Sequence, residues 1–305
     1  MSVPIDIFSL VLAAFVFTVP HNHPTVTSVI CSSVAILTTI RRLLIRRSRL
    51  WADDGCAIFS TCILVLQVAS VFLHADMACK YIIAHLFNFG IAPNLHYPAS
   101  MNRSTRIAAY YLIAITFYSI IWSVRLSILF SIIRVDPNGT RRRFLLGVAL
   151  VFGGTCLILI GQLFWVCERT ENPWKDSATP QCPLSRQVVI LQLVSDVVSD
   201  TILIVAPLQL LVYLEDNVLR RRLCIIFSMC TITTIVSLVH AVLILTGGGP
   251  DVLVAAVVED SISLIVCNLP IVVTASMHVC SDETQTSPTS SVMQFATNVR
   301  AENIL

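Results

Sequence analysis

Of the 305 residues, 56% are apolar and only 12% are charged, and the mean hydropathy is +0.82. A soluble domain carries about 25% charged residues because its surface faces water, so this composition excludes a soluble globular domain and predicts an integral membrane protein. The net charge is only +2, and no basic stretch alternates with aromatic residues, which excludes a nucleic-acid-binding surface. The cysteines lie singly in apolar runs without the spacing of zinc ligands, so we expect no metal site.

The chain opens with an apolar segment, Ile5 to Val19, that Pro20 and Pro24 separate from the next apolar run. This segment is shorter than the roughly 20 residues that cross the hydrocarbon core of a bilayer. Residues 1–24 are therefore predicted to form an interfacial or signal-like segment on the outer side. The alternative is an additional, eighth span.

Seven longer apolar runs come next, each of about the length that crosses a bilayer. They are Thr25–Leu44, Gly55–Leu73, Ile107–Ile133, Phe144–Val166, Val188–Tyr213, Leu223–Thr246 and Val252–Met277. The sequence therefore predicts an all-α membrane protein with a seven-transmembrane-helix bundle over residues 25–277. Residues 278–305 are predicted to form a disordered cytoplasmic tail.

The number of lysine and arginine residues alternates between high and low from one connection to the next, and this alternation predicts the orientation. The connections after the first, third and fifth spans are rich in arginine: Arg41, Arg42, Arg46, Arg47 and Arg49; Arg134, Arg141, Arg142 and Arg143; Arg220, Arg221 and Arg222. The other connections hold fewer basic residues, balanced by acids. Because basic residues collect on the cytoplasmic side, we expect the N-terminus outside and the C-terminus in the cytoplasm, with the plasma membrane as the location.

Two carboxylates, Asp53 and Asp54, follow Trp51 at the start of the second span. One interpretation is structural, because the free N–H groups and the helix dipole at a helix start favour negative charge. The other is that they hold the neighbouring arginines as part of a cytoplasmic coupling surface.

The fourth span repeats glycine at a seven-residue interval, at Gly147, Gly154 and Gly161. This spacing keeps the three glycines on nearly one helix face. Small residues allow close approach of helices in lipid, so the pattern predicts helix packing through this face.

Polar side chains at membrane depth form the candidate functional cluster. Its members are Arg125 in the third span, Asp196 and Asp200 in the fifth, His240 in the sixth, and Glu259, Asp260 and Asn268 in the seventh. Such residues are costly in lipid and face the bundle interior or a wet cavity. Asp196, His240 and Glu259 lie about two turns from the outer helix ends, so they either line one outward-opening cavity or form an internal network that locks the helices together. Asn268 precedes Pro270 by two residues and is a candidate to bond backbone groups that this proline frees.

Depth along the helices predicts one specific contact in this cluster. Arg125 lies nine residues before Arg134, or roughly 13 Å above the cytoplasmic end, and Asp200 lies thirteen residues before Tyr213, or roughly 20 Å above it. An arginine side chain covers this offset, and a buried arginine requires an anion. We predict an Arg125 to Asp200 ion pair, with Glu259 as the second choice and snorkelling of Arg125 to the cytoplasmic face as the alternative.

Two features are predicted in the outer connections. Cys167 and Cys182 bracket the connection between the fourth and fifth spans, where an oxidising environment favours a disulfide. Asn102-Arg103-Ser104 is an N-glycosylation sequon in the connection before the third span.

Together these motifs resemble the fungal seven-helix integral membrane proteins called rhodopsin-domain or Pth-type receptor-like proteins. The residues that carry the resemblance are Leu50-Trp51-Ala52-Asp53-Asp54, Trp122 to Ser127 with Arg134, Cys167 through Trp174 to Cys182, Asp196 and Asp200 before Pro207, and Glu259 to Ser263 before Asn268-Leu269-Pro270. The resemblance implies a seven-helix fungal membrane protein, some relatives of which are proposed G-protein-coupled receptors.

The expected function is that of a receptor-like protein that senses an unknown ligand from within the bilayer or outside and engages a cytoplasmic signalling protein. Both lysines, Lys80 and Lys175, lie in predicted outer connections, so no helix offers a lysine for a retinal Schiff base, and we expect no cofactor. A small-molecule or proton-coupled transporter is the alternative, because buried carboxylates and His240 can relay protons. No nucleophile motif or metal cluster predicts an enzyme, and we expect no catalytic residue.

Overall fold

The computed structural model describes residues 24–47, 50–75, 103–136, 138–169, 174–176, 182, 184–211, 217–246 and 250–285. These residues contain no strand, and nearly all of them are helical. The seven long helices are α1 (Pro24–Arg46), α2 (Ala52–Ala75), α3 (Arg103–Val135), α4 (Gly139–Arg169), α5 (Arg186–Leu211), α6 (Asn217–Thr246) and α7 (Pro250–Gln285). A short 3-10 helix, Trp174–Asp176, lies between α4 and α5. The predicted all-α class is confirmed.

Six stretches of the described residues are long and apolar enough to cross a membrane. They are Ser28–Arg46, Ala52–Val71, Ser104–Arg134, Gly139–Arg169, Arg186–Ala206 and Val252–Val273. In α6 the structure describes side chains as a continuous stretch only over Thr231–Leu245, which is apolar but shorter. The number of spans and the orientation of the termini stay predictions.

Most helix ends lie within a few residues of the predicted span ends, with two larger differences. Helix α6 begins at Asn217, six residues before Leu223, and α7 ends at Gln285, eight residues after Met277. The physical reason is that an apolar run ends at the first polar residues, whereas a helix continues until its backbone is interrupted. No glycine or proline lies between Pro270 and Gln285. Residues 1–23 and 286–305, and hence most of the predicted outer segment and tail, lie outside the described residues.

The first arginine group differs from the sequence prediction. Arg41, Arg42 and Arg46 belong to α1 and not to the connection after it. Leucine and arginine are both good helix formers, so the helix continues past the apolar run. As a result Arg42 is fully buried inside the bundle, whereas Arg41 is exposed.

Helices α3 and α7 form the centre of the bundle. Helix α3 packs against α2, α4, α5 and α7, and α7 packs against α1, α2, α3 and α6. In their apolar stretches, 67% of α3 and 83% of α7 is buried, against 22% of α4. Helix α4 instead exposes large apolar side chains such as Leu150 and Leu157, as expected of a surface that faces lipid.

The predicted glycine packing is wrong for the described residues. A methyl group placed on Gly147, Gly154 or Gly161 would meet no atom within 4 Å. Seven-residue spacing puts the glycines on one face, but it does not determine which face of α4 points into the bundle. That face is determined by Phe152, Leu159 and Leu163, which are buried.

Candidate functional site

The most deeply buried cation of α3, Arg125, lies between two carboxylates of α5. Its Nη1 donates to Asp196 Oδ1 at 2.8 Å and its Nε to Asp200 Oδ1 at 3.1 Å, and all three side chains are at least 95% buried. The predicted Arg125 to Asp200 ion pair is confirmed, and Asp196 joins it. The guanidinium also lies 5.3 Å from the ring centre of Trp122, a cation–π distance.

The local sequence explains why one arginine holds two acids. Asp196 and Asp200 are four residues apart, so they lie one helical turn apart on the same face of α5. The guanidinium has several N–H groups in a rigid planar fork, so different edges reach different carboxylates. Thr234 of α6 donates to the second oxygen of Asp200 at 2.7 Å, which joins a third helix to the pair.

A second buried pair joins α6 to α7. His240 Nδ1 lies 2.6 Å from Glu259 Oε2, and Ser237 donates to the other oxygen of Glu259. The ring of Phe117 from α3 packs edge-on against His240 at 5.1 Å. Helix α6 contacts both pairs, because Thr234 donates to Asp200 and His240 bonds to Glu259.

These residues form one unit, the central network, which consists of Arg125, Asp196, Asp200, His240 and Glu259. It contains three carboxyl groups and one permanent cation, and His240 becomes a second cation only when it is protonated. Negative charge is therefore in excess in a region shielded from water, where it is costly. The network can take up positive charge, either as protons or as part of a ligand.

Asp260 and Asn268, which the sequence pattern groups with this cluster, lie elsewhere. Asp260 is adjacent to Glu259 in the chain but points towards α2, where Gln67 Nε2 donates to its Oδ2 at 2.6 Å. Asn268 bonds across to α1, where its Nδ2 donates to Thr39 Oγ1 at 2.8 Å. Its side chain thus joins two helices, a role different from the predicted bonding of backbone freed by Pro270.

The second unit, the Arg42 cluster, consists of Arg42, Arg46, Asp53, Asp54 and Asn268. Arg42 Nη2 lies 3.0 Å from Asp53 Oδ2, and its Nε lies 2.9 Å from Asp54 Oδ1. Its Nη1 donates to Asn268 Oδ1 at 3.3 Å. Arg46, which is partly exposed, also contacts both aspartates. The cluster therefore joins the end of α1, the start of α2 and the middle of α7.

The aspartate pair has the predicted structural role at the helix start and also holds the neighbouring arginines, whereas a cytoplasmic coupling surface stays a prediction. The backbone N–H of Trp51 donates to Asp54 Oδ2 at 3.2 Å, the reciprocal bond of a capping box at the start of α2. The same two aspartates hold Arg42 and Arg46. Ser131 of α3 donates to Asp53 Oδ2 at 3.0 Å, so α3 also reaches this cluster.

The tryptophan before the aspartate pair extends the cluster towards the bundle surface. The ring of Trp51 is about half exposed and lies 5.1 Å from the guanidinium of Arg134 at the end of α3. This cation–π contact adds a further link between α3 and the start of α2.

Sequence reasoning misses Arg42 of the Arg42 cluster and Gln67, the partner of Asp260. Arg42 is assigned to a connection because the charge rule treats every flanking arginine alike. Its signal is the presence of a second arginine one turn later, opposite an aspartate pair. Gln67 is the only amide in the second predicted span, and that isolation is its signal.

The opposite end of the bundle is held by the Cys167–Cys182 disulfide, as predicted. Trp174 Nε1 donates to the carbonyl of Cys167 at 3.3 Å, and its ring lies 5.5 Å from that of Tyr110 in α3. Lys175 pairs with Glu168 at 2.9 Å near the surface. The predicted glycosylation site Asn102 lies outside the described residues.

Residues 37–282 match the family model described as the fungal rhodopsin domain. The match begins in α1, ends in α7 and includes every member of the central network and of the Arg42 cluster. Neither a search of curated proteins nor a search of solved structures gave a match. Among the described residues, no group of three or more His, Cys, Asp or Glu side chains is placed to hold a metal ion.

Proposed function

Because this chain belongs to the fungal rhodopsin domain family of multi-pass membrane proteins, we propose that it is a receptor-like protein with two coupled sites. A ligand acts at the central network, and the helix ends around the Arg42 cluster respond. The cytoplasmic partner is a signalling protein that engages the neighbouring arginine-rich surface. The proposal includes no enzymatic reaction and no retinal.

The observation that carries this proposal is that two helices contribute to both sites. Helix α7 supplies Glu259 to the central network and Asn268 to the Arg42 cluster, nine residues or roughly 13 Å further along. Helix α3 supplies Arg125 to the first, and Ser131 contacts Asp53 in the second. A change in the position of either helix therefore alters hydrogen bonds at both sites, as a coupling between two sites requires.

The chemistry of the central network suggests a class of ligand. The carboxyl groups exceed the permanent cation, and His240 uses Nδ1 for Glu259. A ligand that brings positive charge or several hydrogen-bond donors would balance this excess. A neutral apolar ligand would leave the buried carboxylates uncompensated.

The coupling can be tested without knowing the ligand. Cys267 is buried in the Arg42 cluster, where Arg42 Nη1 contacts its Sγ at 3.4 Å. Glu259→Gln changes the charge of the central network, and we expect it to change the alkylation rate of Cys267 several-fold, measured by peptide-resolved mass spectrometry. Glu168→Gln is the matched control, because Glu168 lies outside both sites and is exposed. Equal Cys267 rates in both variants and the unmodified protein would contradict the coupling.

The proposed topology has seven spans, an outside N-terminus and a cytoplasmic C-terminus in the plasma membrane. The arginine-rich ends of α1, α3 and α4 lie on the side of the Arg42 cluster, and the disulfide lies on the other side, which fits the charge rule. In intact cells, Lys175→Cys should react with a membrane-impermeant thiol reagent. Thr140→Cys, exposed at the opposite end, should react only after permeabilisation, and the reverse pattern would overturn the orientation.

A proton-coupled transporter is the second candidate, favoured by the His240 to Glu259 pair beside an excess of carboxyl groups. In proteoliposomes such a carrier would show pH-dependent flux that Glu259→Gln abolishes. A receptor would show no such flux.

A further inference from the structure

Gln67 and Asp260 contact each other, but one polar atom of each side chain has no hydrogen-bond partner among the described residues. Both side chains are fully buried, and Gln67 Nε2 donates to Asp260 Oδ2 at 2.6 Å. Gln67 Oε1 and Asp260 Oδ1 are also buried, and neither has a hydrogen-bond partner among the described residues. Two acceptors without a donor are costly in a region that water does not reach.

No cation compensates Asp260 within the part of the chain that the structure describes. On the helices packed against α7, Arg42 of α1 is bonded to Asp53 and Asp54, and Arg125 of α3 to the two aspartates of α5. His240 of α6 is bonded to Glu259. The ionisable side chain next to Asp260 in the chain is Glu259, which is also acidic. The other buried aspartates of both networks each have an arginine.

These observations have one simple chemical resolution. We propose that Asp260 carries a proton in the resting protein and shares it with Gln67 in a cyclic acid–amide pair that joins α2 to α7. A proton on Oδ1 supplies the missing donor, and Gln67 Oε1 accepts it, while Nε2 continues to donate to Oδ2. Both unpartnered acceptors are then satisfied, and no net charge is buried.

The pair is a binding site for a proton in the core of the bundle. Loss of the proton leaves a carboxylate beside Glu259 and removes one of the two bonds between α2 and α7. The ionised state therefore favours separation of Asp260 from its acidic neighbour or from Gln67. Proton uptake holds α2 against α7.

Infrared spectroscopy of the full chain in nanodiscs tests the proposal at neutral pH. A protonated carboxyl has a C=O stretch that is distinct from the bands of a carboxylate. We expect one such band to disappear in Asp260→Asn. Persistence of every protonated-carboxyl band in that variant would overturn the proposal.

Thermal stability provides the second readout, with matched substitutions. Asparagine at position 260 reproduces a neutral acid, because it offers one donor and one acceptor to Gln67. We expect Asp260→Asn to melt within roughly 2 °C of the unmodified protein and Asp260→Leu to melt lower by roughly 4 °C or more. Asp200→Asn, which removes a charge from Arg125, should also melt lower. Equal losses for Asp260→Asn and Asp260→Leu would refute the shared proton.

Gln67→Leu keeps the test decisive if the Asp260 variants do not fold. Removal of the amide should shift the protonated-carboxyl band because its hydrogen bonds are lost, whereas an unrelated carboxyl would not respond. An unshifted band would refute the pairing with Gln67. None of these measurements depends on a ligand, so their failure is separate from failure of the proposed receptor function.

Discussion

Replacing Arg125 by leucine removes the only permanent cation from the central network. Its guanidinium holds Asp196 and Asp200 at 2.8 and 3.1 Å, and all three side chains are nearly inaccessible to solvent. The substitution leaves two carboxyl groups without their partner and places an apolar side chain between them. Uptake of protons by these groups relieves part of the cost but consumes free energy of its own.

The magnitude depends on the burial of the trio. Removing one partner of a buried ion pair destabilises a protein by about 3–5 kcal/mol. A change of 1 kcal/mol lowers the melting temperature by roughly 2–4 °C for domains of 150–250 residues. We therefore expect Arg125→Leu to lower the melting temperature by roughly 6–20 °C.

The compensating variant is Arg125→Leu with Asp196→Asn and Asp200→Asn, in which no charge of the trio stays buried. A neutral replacement of a buried ion pair is often tolerated, and coupled residues deviate from additivity by about 0.5–3 kcal/mol. We expect this triple variant to melt above Arg125→Leu alone. The melting temperature is measured by near-ultraviolet circular dichroism of the protein in detergent. Where expression is too low for this, the fraction of protein that stays monodisperse in size-exclusion chromatography after heating gives the same ranking of the variants.

The matched control is Lys175→Met, which breaks the Lys175 to Glu168 pair near the surface. Its two side chains are 35% and 58% exposed, so solvent screens the pair and the loss should be below about 1 kcal/mol. Two results would refute the reasoning: an Arg125→Leu loss as small as that of the control, or damage in the triple variant equal to the sum of its single substitutions.

Three further sets of substitutions test other parts of the structure. Arg42→Met is expected to lower the free energy of unfolding by about 3–5 kcal/mol, because it leaves a buried aspartate pair without its main partner. Arg46→Met should lower it less, because the Arg46 side chain is 21% exposed. Equal losses of melting temperature in the two variants would contradict this order. Cys167→Ser is expected to lower the free energy of unfolding by about 3 kcal/mol, because the disulfide closes a loop with a sequence separation of 15 residues. Adding Cys182→Ser should lower it little further, because the bond is already lost. A much larger loss in the double variant would argue against a bond between the two cysteines. Asn102→Gln is expected to remove a glycan-dependent mobility shift from chain made in eukaryotic cells, and a shift that stays unchanged would show that this sequon is not used.

The parts of the fold that depend on one helix at a time could be predicted from sequence. Helix positions follow from apolar runs, and the Arg125 to Asp200 contact follows from depth along each helix, because a spanning helix has a fixed rise per residue. The participation of Asp196 could not be predicted in this way, since the depth argument selects a single partner for a group that has several N–H edges.

The parts that depend on the rotation and packing of helices could not be predicted. Adjacent helix residues point roughly 100° apart, so Glu259 and Asp260 face different neighbours, although they are adjacent in the sequence. The glycines of α4 face away from the other described helices for the same reason. Arg42 is buried because α1 packs against both α2 and α7, and the nearby aspartate pair indicates its partners but not this packing.

The central position of α7 determines the order in which the protein can be completed during synthesis. Helix α7 follows the other six described helices in the chain and therefore leaves the ribosome after them, yet it occupies the middle of the bundle. Acidic side chains such as Glu259 and Asp260 oppose its insertion into lipid by about 2.5–3.5 kcal/mol each, unless Gln67 and His240 are already in place to receive them. Conversely, the earlier helices hold polar groups that have no partner until α7 arrives. Until α7 enters, the earlier described helices are therefore held together mainly through α3, and entry of α7 completes the centre of the bundle.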